Sequence, residues 1–433
     1  MKKRIWIVVL FAAITLFCGC DLRTADEMYA VPVRPAEDYN LQNAINKAMS
    51  GLDYGAPKSG TNQEIVQTAD LDGNGDPEYL LFAKGDSEHP LQIFIFDKQK
   101  DAYNLVDTIS CNGSAFDRVE YVQMDDKPGM EIVVGYQLND RLTGGLGVYT
   151  FRSGNMEQLL GSTYSQFLVT DLDDDGLSEL FLTRPGSNEW SKGIAELYRV
   201  KNGDVERSVE LSLSVPSAYI RRVFPGKLQD GKQCVYVSAQ NGENALTTDI
   251  FAMSENVFLN VALSAQRPTT VQTIGNYYVD IADIDGDGIL ELPQLVDMIQ
   301  LTADGGSTHK VISWFALDSQ GLCYTKAYTY HCFIDGWFVE LDAALVDVLA
   351  VSRQGKRVDF FSWDKQFGVP VRLFSIHVLT GQNREEQAEA AGNIRLHTTN
   401  SLVIVGELTS NGGRYGITDQ KLMDSFHIIQ QDS

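Results

Sequence analysis

From about Thr61 onward, short apolar or alternating runs are separated by clusters of Gly, Asn and Asp; residues 79–83 (YLLFA), 93–96 (IFIF) and 131–134 (EIVV) are examples. Runs of this length with turn punctuation predict strands, and no long helical period interrupts them before residue 320. Residues 61–324 are therefore expected to be all-β. After Tyr324 the texture changes: residues 337–341, 358–363, 371–379 and 402–405 predict strands, residues 384–391 a polar helix, and a last helix opens at Thr418 with Leu422, Phe426 and Ile429 on one face. This predicts a small α+β domain over 325–433. Ahead of Thr61, residues 20–60 contain Pro and Ala with one short helical pattern (Leu41, Ile45, Ala48, Met49) and otherwise suggest a tether.

The amino end adds a different pattern. Met1-Lys2-Lys3-Arg4 precedes an unbroken apolar run over residues 5–17, then small residues lead into Cys20. A basic segment, an apolar segment and a cleavage zone in that order predict a signal peptide over 1–19. The apolar run is shorter than the roughly 20 residues of a spanning helix. Phe17-Cys18-Gly19-Cys20 resembles the lipobox of bacterial lipoproteins, although Phe17 and Cys18 depart from its usual Leu and small residue. The resemblance implies that Cys20 is lipidated and becomes the new amino terminus. An ordinary secretory cut near Gly19 is the alternative, and either route places the body outside the cytoplasm.

A net charge of −23, which becomes more negative by three once Lys2, Lys3 and Arg4 are removed, disfavours phosphate backbones. Nucleic acid is not an expected partner. With 433 residues, 44% hydrophobic and 21% charged, the chain can bury a sizeable core.

Internal repetition changes the picture most. Residues 70–78 (DLDGNGDPE), 171–179 (DLDDDGLSE) and 283–291 (DIDGDGILE) are one phrase, D-x-D-x-[DN]-G-x-x-E, with starts 101 and 112 residues apart. Decayed copies at 125–131 and 228–233 fall near the midpoints. The period is thus roughly 50–57 residues, the length of four strands with their turns, and five blades of a β-propeller-like array are countable.

In this phrase the first, third and fifth side chains offer hard oxygens, the Gly allows a sharp turn and the Glu closes the shell, which suits Ca²⁺ better than Mg²⁺. Three Ca²⁺ sites are expected: Asp70, Asp72, Asn74 and Glu78; Asp171, Asp173, Asp175 and Glu179; Asp283, Asp285, Asp287 and Glu291. An EF-hand would need flanking helices and a Glu at the twelfth position, where this chain has Leu81, Leu182 and Gln294. The phrase resembles instead the calcium loop of FG-GAP and VCBS repeats, the blades of integrin α-subunit propellers, over about residues 61–320. That resemblance implies that each ion sits in a hairpin between two strands of a blade. Lys127 in the second copy and the loss of most acids from the fourth predict that those two bind no metal.

No comparable signal points to catalysis. The six histidines (His89, His309, His331, His377, His397, His427) are dispersed, and no nucleophile elbow, P-loop or dinucleotide fingerprint is present. Gly144-Gly145-Leu146-Gly147 suggests a hairpin turn, while Trp190, Trp314, Trp337 and Trp363 suggest core or a binding platform. Cys111, Cys234, Cys323 and Cys332 could be oxidised in an exported chain, with Cys323 and Cys332 close enough for neighbouring strands. The expected function is a calcium-stabilised, lipid-anchored surface module that binds an extracellular protein or glycan; an envelope-associated hydrolase or lyase is the alternative.

Overall fold

The computed structural model describes residues 36–85, 90–100, 102–138, 143–188, 190–240, 245–263, 271–274, 279–301, 309–363 and 368–429. The expected signal peptide, Cys20 and the chain to residue 35 lie outside them, as does His89.

The described chain is mainly β and forms a propeller-like array of antiparallel sheets, six among the described residues. Sheets 2 (115–164) and 3 (166–212) are four-stranded meanders in chain order. Sheet 1 (53–111) and sheet 4 (220–274) add a fifth strand to the same plan. Sheet 5 runs from Leu292–Asp297 to Trp337–Leu341 and recruits the distant strand Phe426–Ile428. Sheet 6, over 349–408 with the short parallel strand Ile299–Gln300, is six-stranded. Meanders dominate because two-residue-period strands joined by tight turns pair with their chain neighbours at little cost in loop entropy.

Alternation along each strand gives every sheet two apolar faces. In sheet 1, Leu80, Phe82, Ile93 and Ile95 point to a core shared with Phe116, Val119, Ile132 and Val134 of sheet 2. Leu81, Ala83, Phe94 and Phe96 point the other way. Successive cores join sheets 2 and 3, 3 and 4, 4 and 5, and 5 and 6. Among the described residues no such core joins sheet 6 back to sheet 1, and the array is not closed into a ring. Helices cover its two ends. Ile45 of the helix Ala36–Ala48 packs on the free face of sheet 1, and Ala388 of the helix Arg384–Ala388 packs on Leu379, Val403 and Val405 of sheet 6. Polar-faced end caps are what a stacked array needs to keep its terminal apolar faces out of water.

Several expectations are corrected by this arrangement. The segment 36–60 is part of the array: beyond the helix cap, Asp53–Tyr54 pairs with Glu78–Lys84, and the Lys58 and Ser59 amides donate to the Asp117 carbonyl. The divide at 324/325 falls inside the strand Cys323–Cys332, so sheet 5 draws on both sides of it. The α+β part beyond it carries short helices, among them Asp419–Asp424 with Thr418 as N-cap, whose hydroxyl accepts the Lys421 amide. That helix stops at Asp424, and Phe426 lies in a strand rather than on the helix. Gly144, Gly145 and Gly147 belong to the strand Gly144–Arg152 and form no turn. A Cβ on Gly145 would meet the Tyr136 ring at 2.2 Å, so the aromatic ring covers a bare stretch of backbone. Cys323 and Cys332 occupy opposite ends of one strand, and the four described cysteines are thiols, not disulfide-bonded to one another.

Candidate metal centres

Each intact acidic phrase leads into a strand that carries its closing Glu or follows directly on it. The first joins Val66–Ala69 to Glu78–Lys84, with Ala69 opposite Glu78. The second intact copy joins Gln166–Thr170 to Glu179–Arg184, with Thr170 opposite Glu179. The third is closed by a bridge between Ala282 and Glu291 ahead of Leu292–Asp297. The first two intact hairpins are thus flanked by strands on both sides, and the third by a single bridge.

Within each loop the backbone and the acids hold one another. Asp70 accepts the amides of Gly73 and Gly75 at 2.8 and 3.0 Å, and Asp283 accepts those of Gly286 and Gly288 at 2.7 and 3.0 Å. Asp171 accepts the Gly176 amide at 2.9 Å. The closing Glu reaches back across the loop: one oxygen of Glu78, Glu179 and Glu291 accepts the amide of Leu71, Leu172 and Ile284 at 2.7, 2.8 and 2.9 Å. These bonds bring three carboxylates together. Oxygens of Asp70, Asp72 and Glu78 lie within 4.8 Å of one another, as do those of Asp171, Asp173 and Glu179, and of Asp283, Asp285 and Glu291. Such groups could hold metal ions.

The fifth position also takes part in the loop's backbone bonding. Asn74, Asp175 and Asp287 each accept the amide two residues on, at 2.6, 2.8 and 2.8 Å. The three-carboxylate clusters consist of the first, third and ninth positions, with Asp175 and Asp287 outside them.

The Glu side chains supply the test of fit. Glu78 and Glu291 are fully buried, and the second oxygen of each has no hydrogen-bond partner. A buried carboxylate oxygen without a partner is costly, and a hard cation bound by the adjacent aspartates would satisfy it. Without one, burial pushes the carboxyls of Glu78, Glu179 and Glu291 up to about 7. Neighbouring aspartates push the same way.

The decayed copies meet the same problem internally. Asp125 is paired with Arg152 at 2.9 Å and Lys127 at 3.2 Å, and Glu131 accepts the Thr150 hydroxyl at 3.1 Å. In the fourth copy, Asp230 accepts the Ser319 hydroxyl at 2.6 Å. Neither appears among the three-carboxylate groups.

The loops also touch along the array. A Cβ on Gly73 would lie 2.4 Å from Pro128, and one on Gly129 would lie 2.2 Å from the Leu71 carbonyl, so the first two loops interlock through bare backbone. The Ser178 amide donates to the Gln123 carbonyl at 2.7 Å, and Gln233 donates to Asp174 at 3.3 Å. A groove of about 460 Å³ between the second and third loops is lined by Asp125, Asp126 and Lys127 on one side and Leu177, Asn202 and Gly203 on the other. Its most buried acid, Asp125, is the one already paired. Of the tryptophans, Trp314 and Trp337 are core and Trp190 is exposed.

No protein-family model matches the chain, and no curated protein matches it. Among solved structures, a protein from Lactobacillus plantarum is 12% identical, with 74% of this chain and 94% of that one covered and a TM-score of 0.27. The exotype rhamnogalacturonan lyase YesX is 11% identical over 70% of each chain, with a TM-score of 0.25. The Dos1 propeller is 9% identical over 82% and 81%, with a TM-score of 0.26.

Proposed function

We propose that this chain is an exported module, anchored through a lipid on Cys20, in which Ca²⁺ in the acidic hairpins stiffens an open propeller-like array that binds an extracellular protein or glycan. The buried, unpartnered oxygens of Glu78 and Glu291 support the metal part of this reading. Three oxygens converge at each of these hairpins, and carboxylate oxygens outside a tight octahedral cage suit Ca²⁺ better than Mg²⁺. The interlocked loops would pass that stiffness from one sheet to the next. A glycoside hydrolase would need a pair of free carboxylates in a cleft; in the groove beside the second loop, Asp125 is committed to Arg152 and Lys127.

The test is made on bacteria producing the chain or its Cys20→Ser variant. Partition of the parent into the detergent phase and of the variant into the aqueous phase, with Ca²⁺-dependent retention on immobilised glycans or matrix proteins, is the expected result. Aqueous partition of both, or retention unchanged in chelator, would contradict it.

A further inference from the structure

The three intact hairpins share a sequence phrase but not an electrostatic setting. The difference lies on other strands, at the place across the sheet from the closing Glu. In sheet 1, Tyr79 is opposite Phe96, which sets the half-buried Asp97 beside Glu78. In sheet 3, Leu180 is opposite Tyr198, which sets Arg199 beside Glu179. In sheet 5, Leu292 is opposite Phe315, which sets Ala316 beside Glu291. There a cation arrives from the third strand instead, as Lys326.

Arg199 enters its cluster. Its guanidinium lies 2.9 Å from Asp173 Oδ2 and 3.4 Å from Glu179 Oε1, so two of the three converging carboxylates already face a fixed positive charge. Lys326 Nζ lies 2.6 Å from Asp287 and 3.8 Å from Asp285 but makes no bond to Glu291, whose Oε1 stays unpartnered. In the first hairpin, among the described residues, neither Lys nor Arg pairs with Asp70, Asp72, Glu78 or Asp97. A fourth carboxylate stands where the second intact loop has a guanidinium. Fixed cations a few ångströms from a divalent ion oppose its binding, and added anions favour it.

We propose that the three hairpins form a graded set, in which 70–78 with Asp97 is the tight divalent-cation site and 283–291 is weaker. The hairpin 171–179 is weakest, because Arg199 serves there as a built-in substitute for the ion. The inference rests on the metal reading above. It makes Asp97 an affinity-determining residue, and it divides the array into an end that needs the ion and a middle that carries its own counter-charge.

Calorimetric titration of the chelator-treated full chain in detergent with CaCl₂ tests it, alongside Asp97→Asn and Arg199→Gln. One site should bind tighter than the rest. Asp97→Asn should weaken that site by about ten- to a hundredfold, the usual range for loss of a supporting shell. Arg199→Gln should leave the tight site alone and tighten a weak one by about tenfold; a gain of affinity cannot come from misfolding. Three indistinguishable sites, a tight site that survives Asp97→Asn, or no gain in Arg199→Gln would overturn the grading and leave the metal reading standing. Absence of Ca²⁺ binding at every site would overturn the metal reading itself.

Discussion

Arg199 Nε lies 3.4 Å from Glu179 Oε1, at the oxygen whose counterparts in Glu78 and Glu291 have no partner. In the copy at 125–131 that oxygen of Glu131 accepts the Thr150 hydroxyl, and Arg152 and Lys127 pair with Asp125. Side-chain cations thus face the hairpin acids in three of the loops, as Arg152 with Lys127, Arg199 and Lys326.

The interlock of the first two loops gives the first prediction. Gly129→Ala places a methyl 2.2 Å from the Leu71 carbonyl at a φ of 100° and should cost on the order of 2–4 kcal/mol in urea unfolding. Gly75→Ala, at a φ of 90° with open space around it, should cost only about 1–2 kcal/mol. Equal losses would mean that backbone strain alone, and not docking of loop on loop, sets the effect.

The raised carboxyls give a pH dependence with a definite sign. Glu78 titrates near 7 in the ion-free fold against an ordinary 4.5, so its protonation favours folding: the contribution is complete below about 4.5 and is lost as pH rises through about 7. Buried His331, lowered to about 4, acts oppositely, weakening the fold as pH falls from 6.5 towards 4. Comparison with Glu78→Gln cancels the histidine. In chelator, the parent should lose stability relative to Glu78→Gln between pH 4.5 and 7, and excess Ca²⁺ should abolish that loss. A difference that is flat with pH would contradict the burial of an unneutralised Glu78.

The helix cap is expected to be energetically necessary. Ile45 is 8% exposed against Leu81, Ala83, Phe94 and Phe96, and Ile45→Ala should cost about 2–4 kcal/mol. A loss near zero in denaturant unfolding would mean that the helix is only resting on sheet 1.

Thiol chemistry separates the cysteines. In a chain beginning after Cys20, exposed Cys323 should react rapidly with an aromatic disulfide reagent. Buried Cys111, Cys234 and Cys332, with thiols pushed up to about 11, 12 and 12, should react only on unfolding. Two fewer thiols under non-reducing conditions would mean a disulfide, against the placement of Cys323 and Cys332 at opposite ends of one strand.

What could be read from the chain alone follows from the range of each signal. The acidic phrases are local, so their hairpin placement and period were visible in residues 70–78, 171–179 and 283–291. Asp97, Arg199 and Lys326 lie 19, 20 and 35 positions beyond Glu78, Glu179 and Glu291 and reach them only through strand register, which no phrase encodes. The sixth sheet escaped a count based on acidic loops because its first full hairpin turns tightly at Gln354-Gly355-Lys356 without the phrase. Leu41 and Ile45 showed a helix but not the sheet face it covers. The Gly-rich stretch at 144–147 looked like a turn because the Tyr136 ring that packs on it belongs to another strand.

The acidic hairpins are expected to bind Ca²⁺ and thereby hold the array together. Thermal melting of residues 21–433 in EDTA and in millimolar Ca²⁺ tests it most directly. Saturation of extracellular-type sites should add on the order of 1–3 kcal/mol and raise the midpoint by several degrees. The rise should vanish when Asp72→Ala, Asp173→Ala and Asp285→Ala are combined. Identical midpoints in EDTA and Ca²⁺, or an equal rise in Mg²⁺ that survives the triple substitution, would show that the acids serve only as turn residues.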